Sequence, residues 1–151
     1  MLKNVIHIGL TVSDLDRSID FYKNILGLKY KGQLTMEGPE TDALFGIKGC
    51  KAEVAYLNGS NHIMAPAIEL IQFTNEDAIY DEADLRKTSI SEVCFKVENI
   101  KFFYDHLLEN NVECISAPQE FDFTKYGFGK SKAIYFKDPD GIILEAIEEI
   151  E

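Results

Sequence analysis

Hydrophobic and polar positions alternate one by one over residues 5–12. Ile6, Ile8, Leu10 and Val12 fall on one side, and His7, Gly9 and Thr11 on the other. That period of two predicts a strand with one buried face. The period then lengthens. Leu15, Ile19, Tyr22 and Leu26 recur at helical spacing behind a cap at Ser13 or Asp14, with Asp16 favouring the helix start and Gly27 stopping it. Strands are predicted at 28–35, 51–57 and 67–73, with a short helical or turn insertion at 39–46 and a turn at Asn58-Gly59-Ser60. One helix among four strands makes a βαβββ module.

The order then recurs. After an acidic, polar stretch at 74–88, read as a linker, strand 90–97 leads into helix 100–110. A strand at 112–115 and a variable loop through Gly129 follow. Strand 131–137, the turn Asp138-Pro-Asp-Gly141 and strand 142–148 complete the copy. In that turn proline presets φ and glycine follows where φ can be positive. The pattern is written twice: His7-Ile-Gly-Leu-Thr-Val-Ser-Asp-Leu15 returns as Glu92-Val-Cys-Phe-Lys-Val-Glu-Asn-Ile100, and Ala67-Ile-Glu-Leu-Ile71 as Ile143-Leu-Glu-Ala-Ile147. A repeat over most of a chain sets its architecture. The expected fold class is α+β: two tandem βαβββ modules (4–73 and 89–149) forming a curved mixed sheet around a cavity, helices on the outer face, together one domain over 1–151.

Each copy opens and closes on a strand with one inward polar residue: His7, Glu69, Glu92 and Glu145. Gly9 and Thr11 share the face of His7, and Cys94 and Lys96 that of Glu92, whereas the opposite faces (Ile6, Ile8, Leu10; Val93, Phe95, Val97) are apolar and suit packing against helices. If the halves pack symmetrically, the four polar residues converge. Three carboxylates and an imidazole left unpaired in a half-buried cavity repel and are poorly solvated. A divalent metal ion resolves this and leaves an open position for chemistry.

Composition narrows the partners. With 15 Lys+Arg against 26 Asp+Glu, the 151-residue chain carries a net charge of −11. Nucleic acid and anionic membrane both need a basic surface, so neither is an expected partner. A hydrophobic content of 46% suffices for a core. Three cysteines without a CxxC spacing suit a reducing cytoplasm rather than a disulfide framework. No signal peptide or membrane span is expected. His62 and His106 read as solvated surface residues. The basic, glycine-bearing segment Lys125-Tyr-Gly-Phe-Gly-Lys130 reads either as a flexible connection or as a loop closing over an anionic substrate. Cys94 reads as inert packing near the metal.

The segments Ile6-His-Ile-Gly-Leu-Thr-Val-Ser-Asp-Leu-Asp-Arg-Ser-Ile-Asp-Phe-Tyr22, Leu26-Gly-Leu28, Ile68-Glu-Leu-Ile71 and Tyr135-Phe-Lys-Asp-Pro-Asp-Gly-Ile-Ile-Leu-Glu145 resemble the vicinal oxygen chelate superfamily. That group includes glyoxalase I, extradiol dioxygenases, methylmalonyl-CoA epimerase, and fosfomycin and bleomycin resistance proteins. The resemblance implies metal ligands at His7, Glu69, Glu92 and Glu145. Glu92 departs from the pattern, since a glyoxalase I or an epimerase usually has histidine there. Three carboxylates make a weaker Lewis acid and favour a harder ion, Mn²⁺ or Mg²⁺, with Ni²⁺, Fe²⁺ and Zn²⁺ as alternatives. The implied function is a glyoxalase I-like lyase or isomerase. It would chelate two neighbouring substrate oxygens, with Glu145, and beside it Glu92, as the catalytic carboxylates. The alternatives are a bleomycin-resistance-like protein that binds a small molecule without chemistry, and an extradiol dioxygenase-like enzyme. The last resembles a site of two histidines and one carboxylate, and only one histidine stands at these positions. A homodimer is expected, because small open sheets need their edges covered.

Overall fold

The first strand forms where the alternation places it, with β1 spanning His7–Thr11. Next come α1 (Leu15–Asp20), β2 (Lys29–Glu37), α2 (Pro39–Phe45), β3 (Lys51–Asn58) and β4 (Ala67–Phe73). The second series is β5 (Val93–Lys96), α3 (Ile100–Glu109), β6 (Gln119–Asp122), β7 (Lys130–Lys137) and β8 (Ile143–Ile150). This computed structural model describes residues 1–150. The chain divides into two units, Met1–Tyr80 and Asp81–Glu151. Each holds one four-stranded mixed sheet, in the order β1-β4-β3-β2 in the first and β5-β8-β7-β6 in the second. In both, the first strand runs parallel to the last, and the remaining pairs are antiparallel. The expected tandem βαβββ class is therefore present, as two separate sheets that are not closed.

The same devices build both units. Asp14 caps α1 by accepting from the Arg17 N–H at 3.0 Å, and Asn99 caps α3 by accepting from the Phe102 N–H at 2.9 Å. A side chain near the end of the last strand holds each helix start. Gln72 Oε1 accepts from the Leu15 N–H at 2.8 Å, and Glu148 Oε2 from the Ile100 N–H at 2.8 Å. Each stands three positions past the glutamate of its strand. The helix start is thereby tied to the strand that carries that glutamate.

The cores follow the sheet faces. Leu10, Ala55, Leu57, Ile68 and Leu70 are buried in the first unit, and Val93, Ile134, Phe136, Leu144 and Ala146 with Ile100 and Leu107 of α3 in the second. Burial of each large apolar side chain contributes ~1.5–3 kcal/mol. Their neighbours along each strand present the opposite face.

Three local expectations change. The α1 helix continues as a π turn over Phe21–Ile25, with the Leu26 N–H donating to the Phe21 carbonyl at 3.0 Å. The wider turn brings both Phe21 and Tyr22 inside, whereas Ile19 and Leu26 are half-buried. The strand expected at 112–115 is not formed. Asn111 adopts φ 57°, and the Val112 N–H closes the end of α3 on the Leu107 carbonyl. Cys114 then makes a single bridge to Phe136, and the sheet edge passes to β6, inside the stretch expected to be loop. Glu92 sits just before β5, whose pairing with β8 begins at Val93 opposite Leu144. The segment Lys125–Lys130 is the end of the β6–β7 hairpin, with the Lys125 ammonium 4.7 Å from the Tyr126 ring centre. Among the described residues no helix is long and apolar enough to cross a membrane.

Candidate functional site

In the first unit the β1–β4 register sets Gly9 opposite Glu69, and the β3–β4 register sets Tyr56 opposite Glu69. Cross-strand partners share a face, so Gly9, Glu69 and Tyr56 form one row. His7 lies two residues along β1 on the same face. Its Nε2 stands 3.2 Å from Glu69 Oε2, and the Tyr56 hydroxyl donates to Glu69 Oε1 at 2.6 Å. The His7 and Tyr56 rings are 6.0 Å apart. Glu69 is only 9% exposed, so these partners replace hydrogen bonds that water cannot supply there. Desolvation first, then the bond to Glu69, pushes the Tyr56 phenol up to about 12, so it remains a donor at neutral pH. Gly9 makes the room, because a Cβ there would meet Glu69 Oε2 at 3.2 Å. A cleft of about 300 Å³ opens beside the row, lined by His7, Lys31, Tyr56, Ile63 and Met64 among others.

The second unit repeats the row with different chemistry. Cys94 and Tyr135 are the cross-strand partners of Glu145. Cys94 takes the place of Gly9, and Tyr135 that of Tyr56. The Cys94 thiol hydrogen-bonds to Glu145, and Glu92 is close enough for its charge to act on Glu145, Cys94 and Tyr135. Partial desolvation raises the Glu145 carboxyl, the Cys94 bond opposes that, and the Glu92 charge adds to it. Cys94 is solvent-accessible as a residue, yet its thiol is pushed up to about 12 by desolvation, then by the bond to Glu145 and by the two carboxylates. Burial first, then these acidic neighbours, also raises Tyr135.

Of the four residues expected at the site, His7 meets Glu69 in the first unit and Glu92 neighbours Glu145 in the second. Within neither unit, among the described residues, do three or more His, Cys, Asp or Glu side chains gather closely enough to hold a metal ion. His62 is exposed as expected, while His106 is half-buried on α3 beside Asn110. Tyr56 and Tyr135 lie outside the four residues expected from the sequence. Each falls on a strand directly opposite the glutamate, and the signal available was that both repeats carry a tyrosine at this place.

The His7–Glu69 spacing fits a shared ion. Two adjacent nitrogen and oxygen ligands, each ~2.1 Å from one metal, stand ~3 Å apart. The residues also supply the donor types that divalent ions take.

The family model described as the glyoxalase/bleomycin resistance protein/dioxygenase superfamily matches residues 4–146. The chain belongs to this superfamily. It is similar to the metallothiol transferase FosB of Staphylococcus saprophyticus, with 28% identity over 143 residues, covering 93% of this chain and 74% of the relative. Among solved structures it resembles a glyoxalase family protein from Bacillus cereus, at 22% identity and a TM-score of 0.86, covering 100% of this chain and 97% of the other. It also resembles the trypanothione-dependent glyoxalase I of Leishmania major, at 20% identity and a TM-score of 0.70, covering 98% and 88%. These two structural likenesses concern the fold.

Proposed function

We propose that the chain, acting over 1–151 as one functional domain, is a metal-dependent enzyme of this superfamily, a glyoxalase I-like lyase or isomerase of a small molecule. The reading rests on one observation above all: His7 and Glu69 stand 3.2 Å apart at repeat-defined strand positions, a spacing suited to neighbouring ligands of one ion. His7, Glu69, Glu92 and Glu145 are the proposed ligands. Lewis-acid polarisation of two neighbouring substrate oxygens is the chemistry a bound divalent ion supplies there. The protein side chains do the rest. Glu69 and His7 give a fixed anchor. Glu145, its carboxyl raised by desolvation and by Glu92, accepts the proton beside the substrate carbonyl. The Cys94 thiol holds that carboxylate by hydrogen bonding. The cleft beside His7 offers apolar walls at Ile63 and Met64 to the substrate body. The three cysteines are free, which suits a reducing compartment such as the cytoplasm.

A second reading is thiol transfer to an electrophile, favoured by the similarity to a metallothiol transferase over 93% of the chain. Both readings are tested together. The purified protein is assayed for bound metal, then stripped and reloaded with substoichiometric Mn²⁺, Mg²⁺, Ni²⁺, Fe²⁺ or Zn²⁺. Turnover is followed with a panel of α-ketoaldehydes plus thiol, and separately with epoxides plus thiol. Activity that rises in proportion to added metal in the first arm supports the isomerase, and in the second the transferase. Ligand binding without metal and without turnover in either arm would make the chain a non-catalytic binder.

A further inference from the structure

The two repeat-equivalent glutamates are held differently. Glu69 is buried, and two neighbours hold it: the Tyr56 hydroxyl at 2.6 Å on Oε1 and His7 Nε2 at 3.2 Å on Oε2, in the space that Gly9 leaves open. Glu145 is half-exposed and takes its bond from Cys94 instead, while Tyr135, opposite it in the same register, makes no such hydrogen bond among the described residues. A carboxylate has two oxygens, and a donor on one fixes the plane in which the other presents its lone pairs.

We propose that Tyr56 is a positioning residue: its hydroxyl occupies Glu69 Oε1 and turns Glu69 Oε2, beside His7 Nε2, toward a divalent cation. This rests on the reading of His7 and Glu69 as metal ligands and adds to it a residue that touches neither metal nor substrate. The contribution is preorganisation. Without the hydroxyl the buried carboxyl group loses the contact that sets its orientation. Part of the binding free energy then goes into restoring that orientation.

The test compares wild type, Tyr56→Phe and Tyr135→Phe. Mn²⁺ affinity is measured by calorimetry, the stability of the metal-free proteins by thermal melting, and the Glu69 side chain by crystallography of metal-free Tyr56→Phe. The expected result is a 10–100-fold loss of Mn²⁺ affinity in Tyr56→Phe, a change below about twofold in Tyr135→Phe, and a folded apo protein whose Glu69 carboxylate has rotated. Wild-type affinity in Tyr56→Phe, or a Glu69 left in place, overturns the positioning role while the metal reading stands. An unfolded Tyr56→Phe overturns it in favour of a structural role. A wild type that binds no Mn²⁺ overturns the metal reading and this inference together.

Discussion

Glu69 occupies the space that Gly9 leaves open. The two are register partners across β1 and β4, and a Cβ on residue 9 would lie 3.2 Å from Glu69 Oε2. Gly→Ala in a strand ordinarily gains ~0.4–1 kcal/mol by restricting the unfolded chain. Here the neighbour cannot easily give way, because Tyr56 and His7 hold the same carboxylate. Overpacking, at ~1–3 kcal/mol, is the larger effect. Gly9→Ala is expected to lower the melting temperature and to weaken Mn²⁺ binding. A variant at least as stable as wild type, with Mn²⁺ affinity unchanged, would show that Glu69 is free to move.

The same position in the second unit leads to a prediction about reactivity. Cys94 is accessible, and exposure alone would make it an easy target for alkylation. Only the thiolate reacts, however, and the surroundings of Cys94 push its thiol up to about 12. In metal-free protein at pH 8, iodoacetamide is expected to label Cys94 about tenfold or more slowly than an unstructured cysteine. The rate should climb only as the solution becomes strongly alkaline. Glu145→Gln removes a carboxylate charge that opposes the thiolate, so it should lower this pKa and speed labelling. Site-resolved mass spectrometry of the alkylated peptides measures both rates. Equal labelling of Cys94 and a free cysteine peptide would contradict the hydrogen bond to Glu145.

Much of this fold could be read from alternation. His7, Gly9 and Thr11 share a face, as do Cys94 and Lys96, because side-chain direction in a strand depends only on parity. Parity also selected Glu69 and Glu145, and the equivalent strand orders of the two sheets agree with the repeat. What alternation cannot supply is register. Tyr56 stands opposite Glu69 only because the β3–β4 pairing sets it there. The π turn after Asp20 and the left-handed Asn111 were equally invisible. Each is a local backbone conformation that side-chain periodicity does not report: the π turn accompanies the burial of Phe21 and Tyr22, and Asn111 accompanies the Val112–Leu107 hydrogen bond that closes α3. Strand β6 was obscured by its composition, since Gln119, Glu120 and Asp122 leave little apolar signal on an edge strand.

Glu145 is the proposed proton acceptor, and Glu145→Gln tests that without disturbing shape. The amide is nearly isosteric with the carboxylate and leaves the β8 backbone pairing with β5 and β7 untouched. Folding, followed by circular dichroism and thermal melting, should change little. Turnover should fall by about 10²–10⁴-fold, the usual contribution of a positioned general base. Near wild-type turnover in a folded Glu145→Gln variant would remove this residue from the proton-transfer role.

The last prediction concerns assembly. Each sheet has two edge strands: β1 and β2 in the first unit, β5 and β6 in the second. Edge strands carry rows of unpaired N–H and C=O groups that invite pairing with another chain. β2 spans Lys29–Glu37, and its exposed side chains include the apolar Tyr30 and Leu34. A closed two-fold arrangement of two identical chains is the commonest way to cover such surfaces. The opposing effect is charge, −11 on each chain. Salt screens exposed charges beyond ~8 Å at physiological ionic strength, so the repulsion should weaken association mainly at low salt. Sedimentation at micromolar concentration is therefore expected to give the mass of two chains in physiological salt, with a shift toward one chain as salt is removed. A mass of one chain at every ionic strength would exclude the homodimer.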